Sequence, residues 1–333
     1  MNFNINNKIL TVIIPIHNSL KFKRNILRIL KENHAYCEFI LIDDGDNYDL
    51  FKHINHGYFN KINIIHNKKN RGVSYSRNIG IKFCKTKYLT FVDADDFILL
   101  NQEFADFLKA IINIDIIMCK NNISIFNKEI YFSNKNNLLN ISKSVKNNLI
   151  INYLRKPVGL SPLIHCWGNI YSTNFLRQNK ISFNNNLRTH EDSLFFAKCL
   201  TESKKIKFYN YSLYRHVVLS KTLSFETPLS PSSFLLHLEI YNKYLRKNNV
   251  KNTNELYLKA TSYYLAKSLV GILNLSYLEI YRRLINISRD KKIKLLLKKI
   301  KFKCEKIPAL DKWMLNYPPI AFIIIFIKKI SEN

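Results

Sequence analysis

The reading of the fold turns on residues 88–100, "YLTFVDADDFILL". The opening run, Tyr88 to Val92, is apolar and β-branched, the composition of a strand buried on both faces. It stops abruptly at Asp93, and Asp95 and Asp96 follow at once. Three carboxylates so close repel one another and need a cation among them or open solvent.

Working outward, "ILTVIIPI" (9–16) is a run of the same kind, and "CEFILIDDG" (37–45) is another that again ends in acids, Asp43 and Asp44. Between them, Phe22, Ile26, Ile29 and Leu30 recur at helical spacing. "FNKINIIHN" (59–67) reads as a third, short strand and "VSYSRNIGIKFCK" (73–85) as a helix. This alternation predicts a mostly parallel α/β sheet covered on both sides. Ligands of such sheets bind beyond the carboxyl ends of the strands, so both acid clusters should line one crevice. Past residue 100 a helix (103–113) and a strand (114–120) are expected, then a polar, Asn-rich stretch to about 150. From about 232 onward the chain reads as helical and basic.

With 333 residues and 47% apolar composition, the chain buries a sizeable core and is not of the disordered class. Its 52 Lys and Arg against 24 Asp and Glu leave a net charge of +28, which fits nucleic acid, an anionic membrane surface or a phosphorylated substrate. A Lys- and Asn-rich composition from AT-rich coding is the bland alternative. The six cysteines form no CxxC, so neither a zinc cluster nor a redox pair is expected. With an amino terminus that does not read as a signal peptide, they favour the cytoplasm. No phosphate-binding G-x-x-x-x-G-K-[ST] and no G-x-G-x-x-G follows any strand. Hard carboxylate ligands at a strand mouth suit Mg²⁺ or Mn²⁺, with substrate phosphate completing the shell. A solvated turn or helix start is the alternative for the same acids.

Five blocks, "TVIIPIHNS", "EFILIDDGD", "NRGVSYSRNIGI", "YLTFVDADD" and "CWGNIYSTNFLRQNKISFNNNLRTHEDSLFF", occur in an order and spacing that resembles the family 2 inverting glycosyltransferases of GT-A fold, over about residues 9–225. His17 stands where an aromatic is common, and "DDGD" replaces the usual "DDGS". The resemblance implies a catalytic domain over 1–225, with a donor half to about 118 and an acceptor half over 119–225. A basic helical region over 226–333 would follow it. It implies that Asp43 accepts from the nucleotide base, that Pro15, Ile16 and Asn18 lie against the nucleoside, and that Arg77 sits beside base and ribose. Asp93 and Asp95 match its Asp-x-Asp; Asp95 would contact ribose or metal, and Asp96 is the other candidate ligand for Mn²⁺ or Mg²⁺. Asp192 would be the general base and Glu191 its orienting neighbour, or both would be helix-start acids after an N-cap at Thr189. Trp167 would wall the acceptor site or belong to the core, His165 would be structural or support the site, and Arg215, His216 and Lys221 would balance the diphosphate. Gly72 and Gly80 would allow close backbone approach, or serve a turn and helix packing.

The partners implied are a nucleotide-diphosphate sugar, expected to be UDP-linked, and a glycan or glycolipid acceptor such as lipooligosaccharide, O-antigen or capsule. No nucleic acid is expected in this reading. A basic nucleic-acid-binding protein and a non-catalytic sugar-nucleotide binder are the rivals. Residues 281–306 carry eleven Lys and Arg against two acids, with Ile293, Leu296, Leu297 and Ile300 at helical spacing. That is a membrane-surface pattern, and the apolar run 320–327 is too short to span a bilayer. Together these predict a cytoplasmic protein, peripheral on the inner face of the membrane.

Overall fold

The computed structural model describes residues 8–17, 19–45, 62–119, 138–142, 144–146, 149, 165–187, 191–215, 239–243 and 245–246. The chain divides into two compact units, residues 1–150 with 160–218, and residues 151–159 with 219–333. The sheet and the acid clusters lie in the first.

The apolar runs become strands. β1 (Leu10–Ile16), β2 (Glu38–Asp43), β3 (Ile62–His66) and β4 (Tyr88–Phe91) form a parallel array in the order β3-β2-β1-β4. Val12, Ile13 and Ile14 are fully buried because helices cover both faces of β1. α1 (Ser19–Asn33) buries Ile26, Ile29 and Leu30, the stripe that its sequence spacing marks. α2 (Val73–Phe83) packs against β1 and β2, and Gly80 is what lets it come close. A Cβ at Gly80 would lie 2.4 Å from Ile13 Cγ2, so this is a packing glycine.

Beyond β4 the sheet takes a turn that the sequence pattern does not announce. β5 (Phe97–Ile98) leaves the main sheet, α3 (Gln102–Ala110) follows behind an Asn101 cap, and β6 (Ile116–Cys119) returns. The short β7 (Leu138–Asn140) comes next along the chain. β8 (Asn169–Ser172) then inserts antiparallel between β4 and β6. α4 (Thr173–Gln178) and α5 (Glu191–Glu202) lead to β9 (Ile206–Tyr209), which pairs parallel with β6, while β7 closes that edge antiparallel to β9. β10 (Tyr214–Arg215) pairs antiparallel with β5 in a separate two-stranded ribbon. Arg215 is exposed there.

Candidate functional site

The order β3-β2-β1-β4 reverses direction at β1, so β1 and β4 flank a topological switch point, where crevices form in open α/β sheets. β1 and β2 end in register, Ile16 opposite Asp43, and the Asp44 amide donates to the Ile16 carbonyl at 2.8 Å. The Pro15 ring is half-buried at this end, and Asn18 lies outside the described residues.

The two acids of β2's end have different partners. Asp44 is buried and accepts from the amides of Arg71 (2.9 Å) and Gly72 (2.7 Å) and from Asn67 Nδ2 (2.8 Å). It anchors the turn that starts α2. Gly45 makes this possible: its φ is +74°, and a Cβ there would meet the backbone of Lys69 and Asn70 at 2.4 Å. Asp43 faces His66, whose Nδ1 lies 2.9 Å from Oδ2.

The turn after β4 is held from below by α1. Asn25 Nδ2 donates to the Ala94 and Asp96 carbonyls, both at 2.8 Å, and the Asp96 amide closes on the Asp93 carbonyl at 3.0 Å. The carboxylates then diverge. Asp95 is half-buried at the mouth. Asp96 is buried and accepts from Tyr214 Oη at 2.5 Å. Asp93 accepts from Arg77 Nη2 at 2.7 Å, and Arg77 Nη1 donates to Glu191 Oε1 at 2.9 Å. Arg77 is thus a buried bridge between the strand-end acids and the acid pair opening α5. Its two terminal nitrogens are engaged on carboxylates, and its Cζ lies 5.3 Å over the Phe183 ring. Phe183 and Phe195 stack at 4.0 Å, with Phe91 edge-on to both, giving the bridge a rigid apolar floor.

Glu191 and Asp192 open α5, where the helix dipole favours negative charge. Glu191 is buried against Arg77, while Asp192 is half-buried and faces His165, Nδ1 to Oδ2 at 3.6 Å. His165 therefore stands beside the acid pair. Trp167 does not wall the site. It is buried, with His165 stacked on one side and Tyr214 on the other, both at 4.3 Å, so no indole face remains for a sugar ring. The capping residue read at Thr189, together with His216 and Lys221, lies outside the described residues.

One guanidinium bonds to Asp93 and Glu191 and also feels the charge of Asp192. Burial pushes the Glu191 carboxyl up to about 7, with Asp192 adding to the rise and Arg77 opposing it. A carboxyl raised in this way contributes stability that is fully present below its ordinary value of 4.5 and is lost as pH climbs through about 7. Glu191→Gln keeps an acceptor for Arg77 and mimics the protonated acid. It should be close to neutral at pH 5 and should raise Tm above wild type at pH 8. Thermal unfolding at both pH values checks this, and an equal Tm difference at the two would count against the raised carboxyl.

Among the described residues no group of three or more His, Cys, Asp or Glu side chains is arranged to hold an ion. Asp93 is committed to Arg77, which leaves Asp95 with Asp96 beside it. One or two carboxylates fit Mg²⁺ or Mn²⁺, which keep water and take substrate phosphate as further ligands. The donor set therefore suits an ion that arrives with a phosphate-bearing ligand better than a resident structural metal.

The chain is similar to known proteins in sequence and in fold. The model of glycosyl transferase family 2 matches residues 11–170, spanning the switch point, both strand-end acid clusters and the start of β8. Residues 11–170 belong to glycosyl transferase family 2. The chain thus carries a glycosyltransferase domain. An uncharacterized glycosyltransferase of Haemophilus influenzae is 25% identical over 257 residues, covering 76% of this chain and 94% of that protein. Other curated relatives are matched over a smaller share of their length, 14% for a Rickettsia bellii glycosyltransferase. Among solved structures, residues 1–349 of S. aureus TarS in complex with UDP-GlcNAc superpose with a TM-score of 0.59 at 18% identity, over 95% of this chain and 89% of that one. The mannosyltransferase PcManGT of Pyrobaculum calidifontis, in complex with GDP-Man and Mn²⁺, superposes with a TM-score of 0.51 at 11% identity, over 98% of this chain and 88% of that one. The glycosyltransferase domain therefore has the GT-A fold expected from its strand and acid pattern.

Proposed function

We propose that this glycosyltransferase moves a sugar from a nucleotide-diphosphate sugar, UDP-linked, to a hydroxyl of a cell-surface glycan or glycolipid such as lipooligosaccharide, O-antigen or capsule, with inversion at the anomeric carbon. The observation that carries the reading is the Arg77 bridge, which gathers Asp93 at the strand end and the Glu191–Asp192 pair into one site. The catalytic domain in this reading is 1–225, with the donor half to about 118.

Asp43 meets the base, while Pro15 and Asn18 line the nucleoside through backbone. Asp192 accepts the proton of the acceptor hydroxyl as that oxygen attacks the anomeric carbon. The bond from that carbon to the diphosphate breaks, and its electron pair leaves with the diphosphate. Glu191, tied to Arg77, sets the position of Asp192, and Arg77 holds Asp93. Exposed Arg215, next to Tyr214, would meet diphosphate oxygens in this reading. A divalent Mn²⁺ or Mg²⁺ at Asp95, with Asp96 adjacent, would offset the charge of the leaving diphosphate.

A thermal-shift panel of UDP, UDP-GlcNAc and GDP-mannose, each with and without Mn²⁺, tests the reading. The UDP compounds should stabilise the wild type only with metal, by about 2.7 kcal/mol at a hundredfold excess over Kd. Asp95→Asn should abolish that shift while its own Tm stays near wild type, because a half-buried mouth acid serves the ligand more than the core. No shift with any nucleotide would sink the reading, and an undiminished shift in Asp95→Asn would remove that residue from the metal site.

Membrane association belongs to the same reading. It rests on the basic residues 281–306, which lie outside the described residues. Among the described residues no helix is long and apolar enough to cross a membrane. Truncation after residue 280 should abolish flotation with anionic vesicles, each basic residue near such a surface contributing about 1 kcal/mol. Equal flotation of both forms would refute the anchor.

A further inference from the structure

Three aromatic rings lie in one stack between the two acid ends of the site. The His165 and Trp167 rings have centroids 4.3 Å apart at 15°, and the Trp167 and Tyr214 rings 4.3 Å apart at 11°. At one end Tyr214 Oη donates to Asp96 Oδ2, and the Asp93 amide reaches the same hydroxyl at 3.4 Å. At the other end His165 Nδ1 lies 3.6 Å from Asp192 Oδ2. Catalytic contacts of this length often tighten only when substrate is bound.

The stack has little freedom. Trp167 and Tyr214 are buried. Tyr214 is also pinned by backbone pairing, since β10 is registered on β5 with Tyr214 opposite Ile98, two residues after Asp96. Asp96, 1% exposed, therefore has its carboxylate aimed by a fixed O–H rather than by solvent.

We propose that His165, Trp167 and Tyr214 are positioning residues forming one ladder: Tyr214 aims Asp96 on the donor side, His165 orients Asp192 on the acceptor side, and Trp167 fixes the spacing between them. The inference rests on the function proposed above, in which Asp95 and Asp96 serve the donor and Asp192 takes the proton.

Ring-preserving variants of the full chain separate the two ends. UDP affinity with Mn²⁺ is measured by calorimetry, and kcat and KM for hydrolysis of UDP-GlcNAc by release of UDP. Tyr214→Phe keeps the ring and removes the hydroxyl; it should weaken UDP binding about tenfold, the scale of a lost charge-assisted hydrogen bond. His165→Phe keeps a stacking ring and removes Nδ1; it should leave UDP affinity within about twofold and lower kcat about tenfold at unchanged KM, as expected of a group acting through the base. Trp167→Ala should damage both readouts and Trp167→Phe should restore part of each. Unchanged UDP affinity in Tyr214→Phe overturns the donor-side role. Variants at the two ends that depress both readouts in parallel overturn the division of labour and leave a merely structural stack. Failure of the wild type to bind UDP or turn over UDP-GlcNAc is a different result, which overturns the proposed function itself.

Discussion

Asp192→Asn should lower sugar transfer by roughly 10² to 10⁴-fold, the usual contribution of a positioned general base. UDP binding with Mn²⁺ should remain near wild type. The substitution keeps shape and hydrogen-bonding capacity but removes the ability to take a proton. It also removes one of the charges crowding Glu191, so the fold should not suffer. The two acids of the pair are not equivalent. Glu191 is buried and spent on Arg77, whereas the Asp192 side chain is 16% exposed and faces His165. Transfer by Asp192→Asn within a few-fold of wild type would place the base elsewhere.

Arg77→Met should be the most destabilising single change in the site. The Arg77 side chain is 4% exposed and faces two carboxylates within 3 Å, at 2.7 and 2.9 Å. Removing the cation leaves them confined without a counter-charge, a loss of about 3–5 kcal/mol that corresponds to a Tm drop on the order of 10 °C. The loss should be smaller at pH 5 than at pH 8, because Glu191, raised to about 7, holds its proton in the folded chain at the lower pH. Arg77→Lys retains the charge but not the fork that reaches both acids, so it should fall between. Differential scanning fluorimetry at both pH values measures all of this. A pH-independent drop would show that lost packing on Phe183, rather than unpaired charge, is what the substitution costs.

How much of this is legible in the residues depends on the distance over which each relation acts. β1, β2 and β4 are evident because burial on both faces demands an unbroken apolar run, which is a local property. The acids at their ends are equally plain. Their individual roles are not, since those are decided by partners far along the chain: Asp96 by Tyr214 118 residues later, and Glu191 by Arg77 114 residues earlier. β8 escapes notice for another reason. "NIYS" is short and half polar, and the fully buried Asn169 and the Ser172 cap of α4 read locally as a loop. Only the vacancy between β4 and β6 makes a strand of it. The same holds for Trp167, whose ring is assigned to the core by two neighbours in the stack that its flanking sequence does not announce as a pair.

The placement of β8 carries a practical consequence for engineering donor preference. β8, from beyond residue 118, is seated between β4, which precedes that boundary, and β6, which the boundary itself divides. The halves are woven through each other, so neither is a cassette. Cutting at residue 118 would sever β6 and leave β4 with an open edge in the middle of a sheet, a template for aggregation. Exchanging the first half between relatives would set a foreign β4 against the resident β8, and a foreign Arg77 counterpart against the resident Glu191. Grafts that reshape the nucleotide pocket should therefore be drawn at surface loops around single strand ends, with the Thr90-to-Asn169 contact and the Arg77 bridge inherited intact from one parent.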